Sequence, residues 1–148
     1  MSEEGSVRVL IDDRLLIDEL LVGLNLVADE LWTTSYWYYR ACRAATLGAS
    51  GYLSGPFERL PPERHGSAIL SLLELPDAIR IGDPRRVVPV MAALSGRHPH
   101  LNLLNLEAAA AAIHLAATVQ LSPTTANGVL PAVLDAEGIT YFVVGPNE

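Results

Sequence analysis

The stretch from Val7 to Leu21 reads VRVLIDDRLLIDELL, an apolar run that ends in two adjacent carboxylates, Asp12 and Asp13. Carboxylates at the edge of a core are capped into a helix, paired with a cation or bound to a metal ion. Two further groups of oxygen-bearing side chains stand late in the chain. Glu107 precedes a run of alanines, and Ser122, Thr124, Thr125 and Asn127 follow the apolar TVQL. Carboxylates converging from such positions would suit a hard divalent cation, Mg²⁺ or Mn²⁺, which prefers oxygen ligands. An ion of that kind can activate water for phosphodiester cleavage. Within the opening stretch, Asp13 is expected to be the helix N-cap. Asp12 is then left either to ligate a metal or to pair with Arg14 or Arg40.

Other chemistry finds less support. His98 and His100 alternate on a Pro-containing connection with no third ligand in view, and they read as loop residues. His114 follows Glu107 by seven positions on the same helical face and reads as a packed core histidine. Cys42, the one cysteine, excludes an internal disulfide and is expected to be buried and inert. There is no Gly-rich phosphate loop and no Gly-x-Ser-x-Gly elbow.

The elements that must position these residues follow from periodicity. Residues 7–11 are β-branched and aliphatic and suit a buried strand. The following DRLLIDELLVGL has helical apolar spacing and ends near Gly23. Thr34 or Ser35 caps a helix that runs to about Leu47, with Gly48 as its stop. GYLSGPFERLPPERHG reads as a loop, SAILSLLEL as a helix halted by Pro76, and AIRI as a short strand. Asp83 and Pro84 open a helix, and Asn105 is expected to cap the alanine-rich one. TVQLS is a strand, TTANGVLPAVLDAEG a helix interrupted by Pro131, and ITYFVVG a final strand. Strands alternating with helices predict right-handed crossovers and a three-layer α/β/α domain spanning 1–148. Its central, mostly parallel sheet should hold about four to five strands. Ligands of such sheets bind beyond the carboxyl ends of the strands, where Asp12, Glu107 and the 122–127 segment would lie.

Composition limits the setting. Half of the 148 residues are hydrophobic and 18 % are charged, which belongs to a folded domain. No apolar run is long enough to span a bilayer, and the acidic start, MSEEGS, is unlike a signal peptide, so a cytoplasmic location is expected without membrane contact. All ten basic residues are arginine, and eight of them fall between Arg40 and Arg97. The net charge of −7 argues against sequence-blind affinity for nucleic acid but allows a local arginine patch. Five of the nine aromatics, including Trp32, Tyr36, Trp37 and Tyr39, fall within positions 32–39. So many rings on one short segment predict a homodimer or partner interface, with base stacking as the alternative.

The order of these elements resembles the PIN domain, the small nuclease fold of VapC-type toxins. The resemblance is carried by VLIDDRLLIDELL, similar to the family's first strand and its aspartate. It is also carried by NLLNLEAAAAAIHLAATVQLSPTTANGVLPAVLDAEGITYFVV, similar to the family's late acid, alanine-rich helix, strand, turn, helix and closing strand. It implies a metal-dependent endoribonuclease of a toxin–antitoxin system, with Asp12 and Glu107 as Mg²⁺ or Mn²⁺ ligands and a cognate antitoxin as partner. The fourth acid falls on Asn127, an orienting group without charge, giving a catalytic set of Asp12, Glu107 and Asn127. The second acid has no counterpart, since Tyr39 or Arg40 stands at its position, and Arg14 replaces the expected Ser or Thr. Two carboxylates and an amide bind Mg²⁺ less well than four carboxylates. A guanidinium from Arg14 or Arg40 can balance their charge instead, or contact RNA. The expectation is therefore a PIN-like protein with an incomplete acidic site, weak or absent metal binding and nuclease activity, and a role in RNA or protein binding. An active endoribonuclease toxin and an unrelated α/β small-molecule-binding protein are the alternatives.

Overall fold

A computed structural model of the chain describes residues 6–47 and 53–145. Strand β1 (Arg8–Ile11) runs through the centre of a five-stranded sheet. Its neighbours are β2 (Glu30–Thr33) and β4 (Thr118–Leu121), with β3 (Ile79–Ile81) and β5 (Tyr141–Val143) at the two edges. The order is β3-β2-β1-β4-β5, and every pairing is parallel. Parallel strands need crossovers, and among the described residues eight helices supply the layers on the two faces.

One layer holds α1 (Asp13–Leu21), α2 (Ser35–Leu47), α3 (Gly55–Glu58) and α4 (Pro62–Leu73). Its core joins Val9 and Ile11 of β1 to Leu15, Leu16, Ile17, Ala41, Phe57 and Leu72. The other layer holds α5 (Pro84–Arg97), α6 (Leu103–Leu115), α7 (Pro123–Ala126) and α8 (Leu130–Ala136). Leu10 points into it, beside Val119, Leu121, Leu94 and the buried alanines Ala108 to Ala112. The period-two alternation of β1 thus feeds both cores, which is why Val9, Leu10 and Ile11 are all apolar. The alanine run keeps α6 thin where it lies against the sheet and α5.

Local signals explain most boundaries. Asp83 accepts from Arg85 N–H and caps α5, and Pro84 opens that helix as expected. Thr34 Oγ1 accepts from Trp37 N–H at 3.0 Å, so Thr34 caps α2. That helix reaches Leu47, and its expected stop, Gly48, lies outside the described residues. Other expectations are corrected. The segment GYLSGPFERLPPERHG, expected as a loop, contains α3 and the start of α4, and ELWT at 30–33, given no element of its own from the sequence, is strand β2. Asn102 caps α6, its side chain accepting from Asn105 N–H, so Asn105 is inside the helix. Pro131 does not interrupt a helix but sits in the first turn of α8, after α7 has ended. No helix among the described residues is long and apolar enough to cross a membrane.

Candidate functional site

The chain leaves β1 through α1 toward β2 on one face and enters β4 from helices on the other. The carboxyl ends of β1 and β4 therefore diverge, which makes this edge the topological switch point. Asp12 is the residue that follows β1 there. It has extended backbone, φ −81° and ψ −176°, and caps α1, with Oδ1 accepting from Leu15 N–H at 2.9 Å. Its Oδ2 accepts from Ser122 N–H at 2.9 Å and from Ser122 Oγ at 2.6 Å, just beyond β4. The side chain is fully buried. Asp12 thus stitches the ends of β1 and β4 across the switch point. Thr33 Oγ1 does the same on the other flank, donating to Ile11 carbonyl oxygen at 2.8 Å.

Asp13 begins α1 rather than capping it, so the expected roles of the two aspartates are exchanged. Its Oδ1 accepts from Arg14 N–H at 2.8 Å, and its Oδ2 lies 2.8 Å from Arg40 Nε on α2. Burial raises the Asp13 carboxyl to about 6; the Asp12 charge adds to the rise, and Arg40 opposes it. Arg14, itself buried, places Nε 3.1–3.2 Å from both carboxylate oxygens of Asp18 one helical turn on. The Asp18 carboxyl is also raised, by burial, against the pull of Arg14. Arg40 was a candidate partner of Asp12; its guanidinium pairs with Asp13 instead.

Glu107 reaches the same edge from the opposite helical layer. It stands one turn into α6, because the helix starts at Leu103, and it crosses to the beginning of α2. Oε2 accepts from Ser35 N–H at 3.2 Å and Ser35 Oγ at 2.9 Å, and Oε1 accepts from Tyr36 N–H at 3.0 Å. The amides of a helix N-terminus and its dipole favour a negative charge there. Glu107 therefore serves the end of α2, the helix that follows β2, while Asp12 follows the adjacent strand β1. Asn127 is exposed at the C-terminal end of α7, five residues beyond Ser122.

Whether these residues fit a divalent ion can be judged from their donors. All four oxygens of Asp12 and Asp13 and both of Glu107 already face N–H, O–H or guanidinium groups. Among the described residues, no group of three or more His, Cys, Asp or Glu side chains is arranged to hold a metal ion. A divalent ion would have to displace donors that the fold itself uses, so this arrangement does not fit one.

The remaining candidates separate cleanly. Trp37 is 1 % exposed and packs in the core, and the half-buried Trp32 donates Nε1–H to Glu30 at 3.0 Å beneath the Arg80 guanidinium. Of the four aromatics expected at an interface, Tyr36 and Tyr39 are exposed, with their rings edge to face at 6.2 Å. His98 is no free loop residue, since its Nε2 lies 2.8 Å from Glu137, which also takes two hydrogen bonds from Arg97. His114 is exposed, correcting its placement in the core, because the face of α6 that turns inward is that of the alanines. Cys42 is half-buried, and burial pushes its thiol up, away from the reactive thiolate. Ser35, read from the sequence only as a possible helix cap, is the partner of Glu107.

The sheet order and the two helical layers define a three-layer α/β/α fold around a parallel sheet. No family model matches the chain, and no curated protein does. The fold is shared by solved structures, two of which illustrate it. One is VapBC-1 from nontypeable Haemophilus influenzae, with 13 % identity, a TM-score of 0.53, and coverage of 93 % of this chain and 98 % of that one. The other is FitAB bound to an IR36 DNA fragment, with 17 % identity, a TM-score of 0.54, and coverage of 91 % and 94 %. At these identities the likeness is one of fold.

Proposed function

We propose that this chain is a PIN-like protein of toxin–antitoxin type whose acidic site is incomplete, and that it acts by binding a partner protein or RNA, with weak or no metal-dependent nuclease activity. The observation that carries this reading is the commitment of every oxygen of Asp12, Asp13 and Glu107 to donors of the chain itself. Asn127, neutral and exposed, adds no charge to them. The likeness to VapBC-1 and FitAB, both named as paired proteins, supports a protein partner of antitoxin kind. The exposed Tyr36 and Tyr39 supply apolar area for such a partner, a second copy of the chain or an RNA base.

One observation favours the second reading, an active Mg²⁺- or Mn²⁺-dependent endoribonuclease: Asp12 and Glu107 do reach the same edge, at the ends of neighbouring strands. For the small-molecule alternative there are two cavities among the described residues, one of about 490 Å³ among the loops that enter β2 and β3 and one of about 360 Å³ beside α1, lined by Arg14, Asp18, Arg59 and Val144; neither is lined by Asp12, Asp13 or Glu107. The test is cleavage of single-stranded RNA by the purified chain in Mn²⁺, beside Asp12→Asn and Glu107→Gln. Equal background from all three supports the proposal. Wild-type cleavage that both substitutions abolish establishes the endoribonuclease.

A further inference from the structure

A second group of charges lies apart from the acidic edge, in the cavity of about 360 Å³ beside α1. Three segments enclose it: α1 with the residues just after it, α3 with Arg59 and Leu60, and Val144 and Gly145 beyond β5. That volume is within the range of small-ligand sites. The walls are mostly apolar, and three charged side chains interrupt them, Arg14, Asp18 and Arg59. Arg14 and Asp18 are 8 % and 16 % accessible and pair with each other across one helical turn. Burial nonetheless keeps the Asp18 carboxyl above its usual range, in spite of Arg14. A carboxyl so perturbed in a cleft marks a dry pocket, where a further charged contact is strong. Arg59 is exposed, and no carboxylate among the described residues lies within ion-pair distance of it. Its Nη2 is 3.6 Å from where a Cβ on Gly55 would sit, so the guanidinium folds back over the start of α3.

We propose that this cavity is a binding site for a small monocarboxylic acid with an apolar body, the carboxylate meeting Arg59 and the body lying against Leu21, Leu60 and Val144. Charge decides the class of ligand. Two guanidinium groups against one carboxylate leave the cavity a surplus of one positive charge, in a chain whose net charge is −7. One ligand carboxylate balances that surplus, whereas a phosphate dianion would overshoot it beside Asp18. A cation would face two arginines, and a neutral apolar molecule would leave the charge of Arg59 unanswered. The arginine fork matches a carboxylate, which it can hold by two parallel hydrogen bonds. None of Asp12, Asp13 and Glu107 lines the cavity, so the site stands whatever the state of the acidic edge.

The experiment titrates the full chain with phenylacetate at neutral pH, followed by nuclear magnetic resonance through the backbone amides of Val144 and Gly145. Two controls separate charge from body: phenylacetamide, which is neutral, and acetate, which lacks the ring. Wild type should bind phenylacetate about tenfold more tightly than either control, and Arg59→Ala should lose about the same factor. Asp18→Asn, which removes the cavity's own negative charge, should bind no more weakly than wild type. Val144→Trp, which fills the cavity and leaves both arginines in place, should not bind. Should Val144→Trp fail to fold, Arg59→Ala, a change at an exposed position, and the phenylacetamide control carry the same test. The proposal is overturned if acid and amide bind alike, if Arg59→Ala binds as wild type does, or if millimolar phenylacetate leaves the two amides unmoved. A capped peptide with one glutamate that binds here where phenylacetate does not would overturn it in favour of a protein partner.

Discussion

At the amino edge of the sheet the carboxylates have water on one side and arginine on the other. Glu137 accepts two hydrogen bonds from Arg97 and lies against His98, and these contacts hold its carboxyl below the usual range. Glu30, at the start of β2, is lowered by its hydrogen bond from Trp32 and by Arg8 and Arg80. At the carboxyl edge Asp13 is raised to about 6, although it holds a shorter contact to arginine, 2.8 Å, than either of those glutamates. The difference is burial, which at the carboxyl edge outweighs the ion pair. Structural ion pairs at a wet surface lower a carboxyl's pKa; carboxyls kept in a dry edge against their own preference are the pattern of a site, current or lost. The two edges thus carry similar charges with opposite signs of stabilisation.

The largest effect should come from Asp12. Asp12→Ala removes the cap of α1, leaves the buried Ser122 amide without its acceptor and leaves the Ser122 hydroxyl with only Thr125 Oγ1 at 3.5 Å, for a loss of about 2 to 4 kcal/mol in chemical denaturation. Asp12→Asn keeps a cap and one acceptor and should cost less than half as much. A loss no larger than that of an ordinary surface substitution would show that Asp12 does not bind the two strands together.

Asp13 comes next, and its sign is opposite. Its carboxyl is raised from 3.8 to about 6, so between these values the folded chain holds more protons than the unfolded one. Stability from this group is present below about 4 and falls as pH rises through about 6, by up to about 3 kcal/mol. Asp13→Asn should therefore flatten the pH dependence of unfolding across that window and leave the chain at least as stable as wild type at pH 8. Parallel curves for the two proteins from pH 4 to 7 would contradict it.

Glu137→Gln should show the reverse trend with a smaller amplitude. A lowered carboxyl contributes stability above its unfolded value and loses it as the pH falls, so the variant should differ from wild type at neutral pH and converge with it in acid. Molar salt should erase most of the difference. The smallest effect on stability belongs to Tyr36→Ala and Tyr39→Ala, within about 0.5 kcal/mol. If these rings form a contact surface, sedimentation should nonetheless detect weaker self-association or partner binding.

Much of the frame was legible because its signals are local. The β-branched run 7–11, the Asp83–Pro84 start and the alanines of α6 each state their own structure. Strand β2 was not legible, since ELWT mixes a charge and a large ring in four residues and draws its stability from pairing with β1 and β3. The exchange of roles between Asp12 and Asp13 was hidden for a different reason. Either side chain can cap a helix, and the choice falls to the backbone, extended at Asp12 and helical from Asp13. The partners of the site were the least visible. Arg40 is far from Asp13 in sequence, and Ser35 and Ser122 meet Glu107 and Asp12 only when the strands align. The acids, and Arg40 as a candidate counter-charge, could be found from the sequence; which acid Arg40 meets, and the serine donors, could not.

That occupancy is tested most directly by calorimetric titration of the wild-type chain with Mn²⁺ at pH 7.5, beside Asp12→Asn. With every carboxylate oxygen at the edge engaged by the chain's own donors, neither protein should give a stoichiometric isotherm. A tight one-to-one site in wild type that disappears in Asp12→Asn would contradict the account.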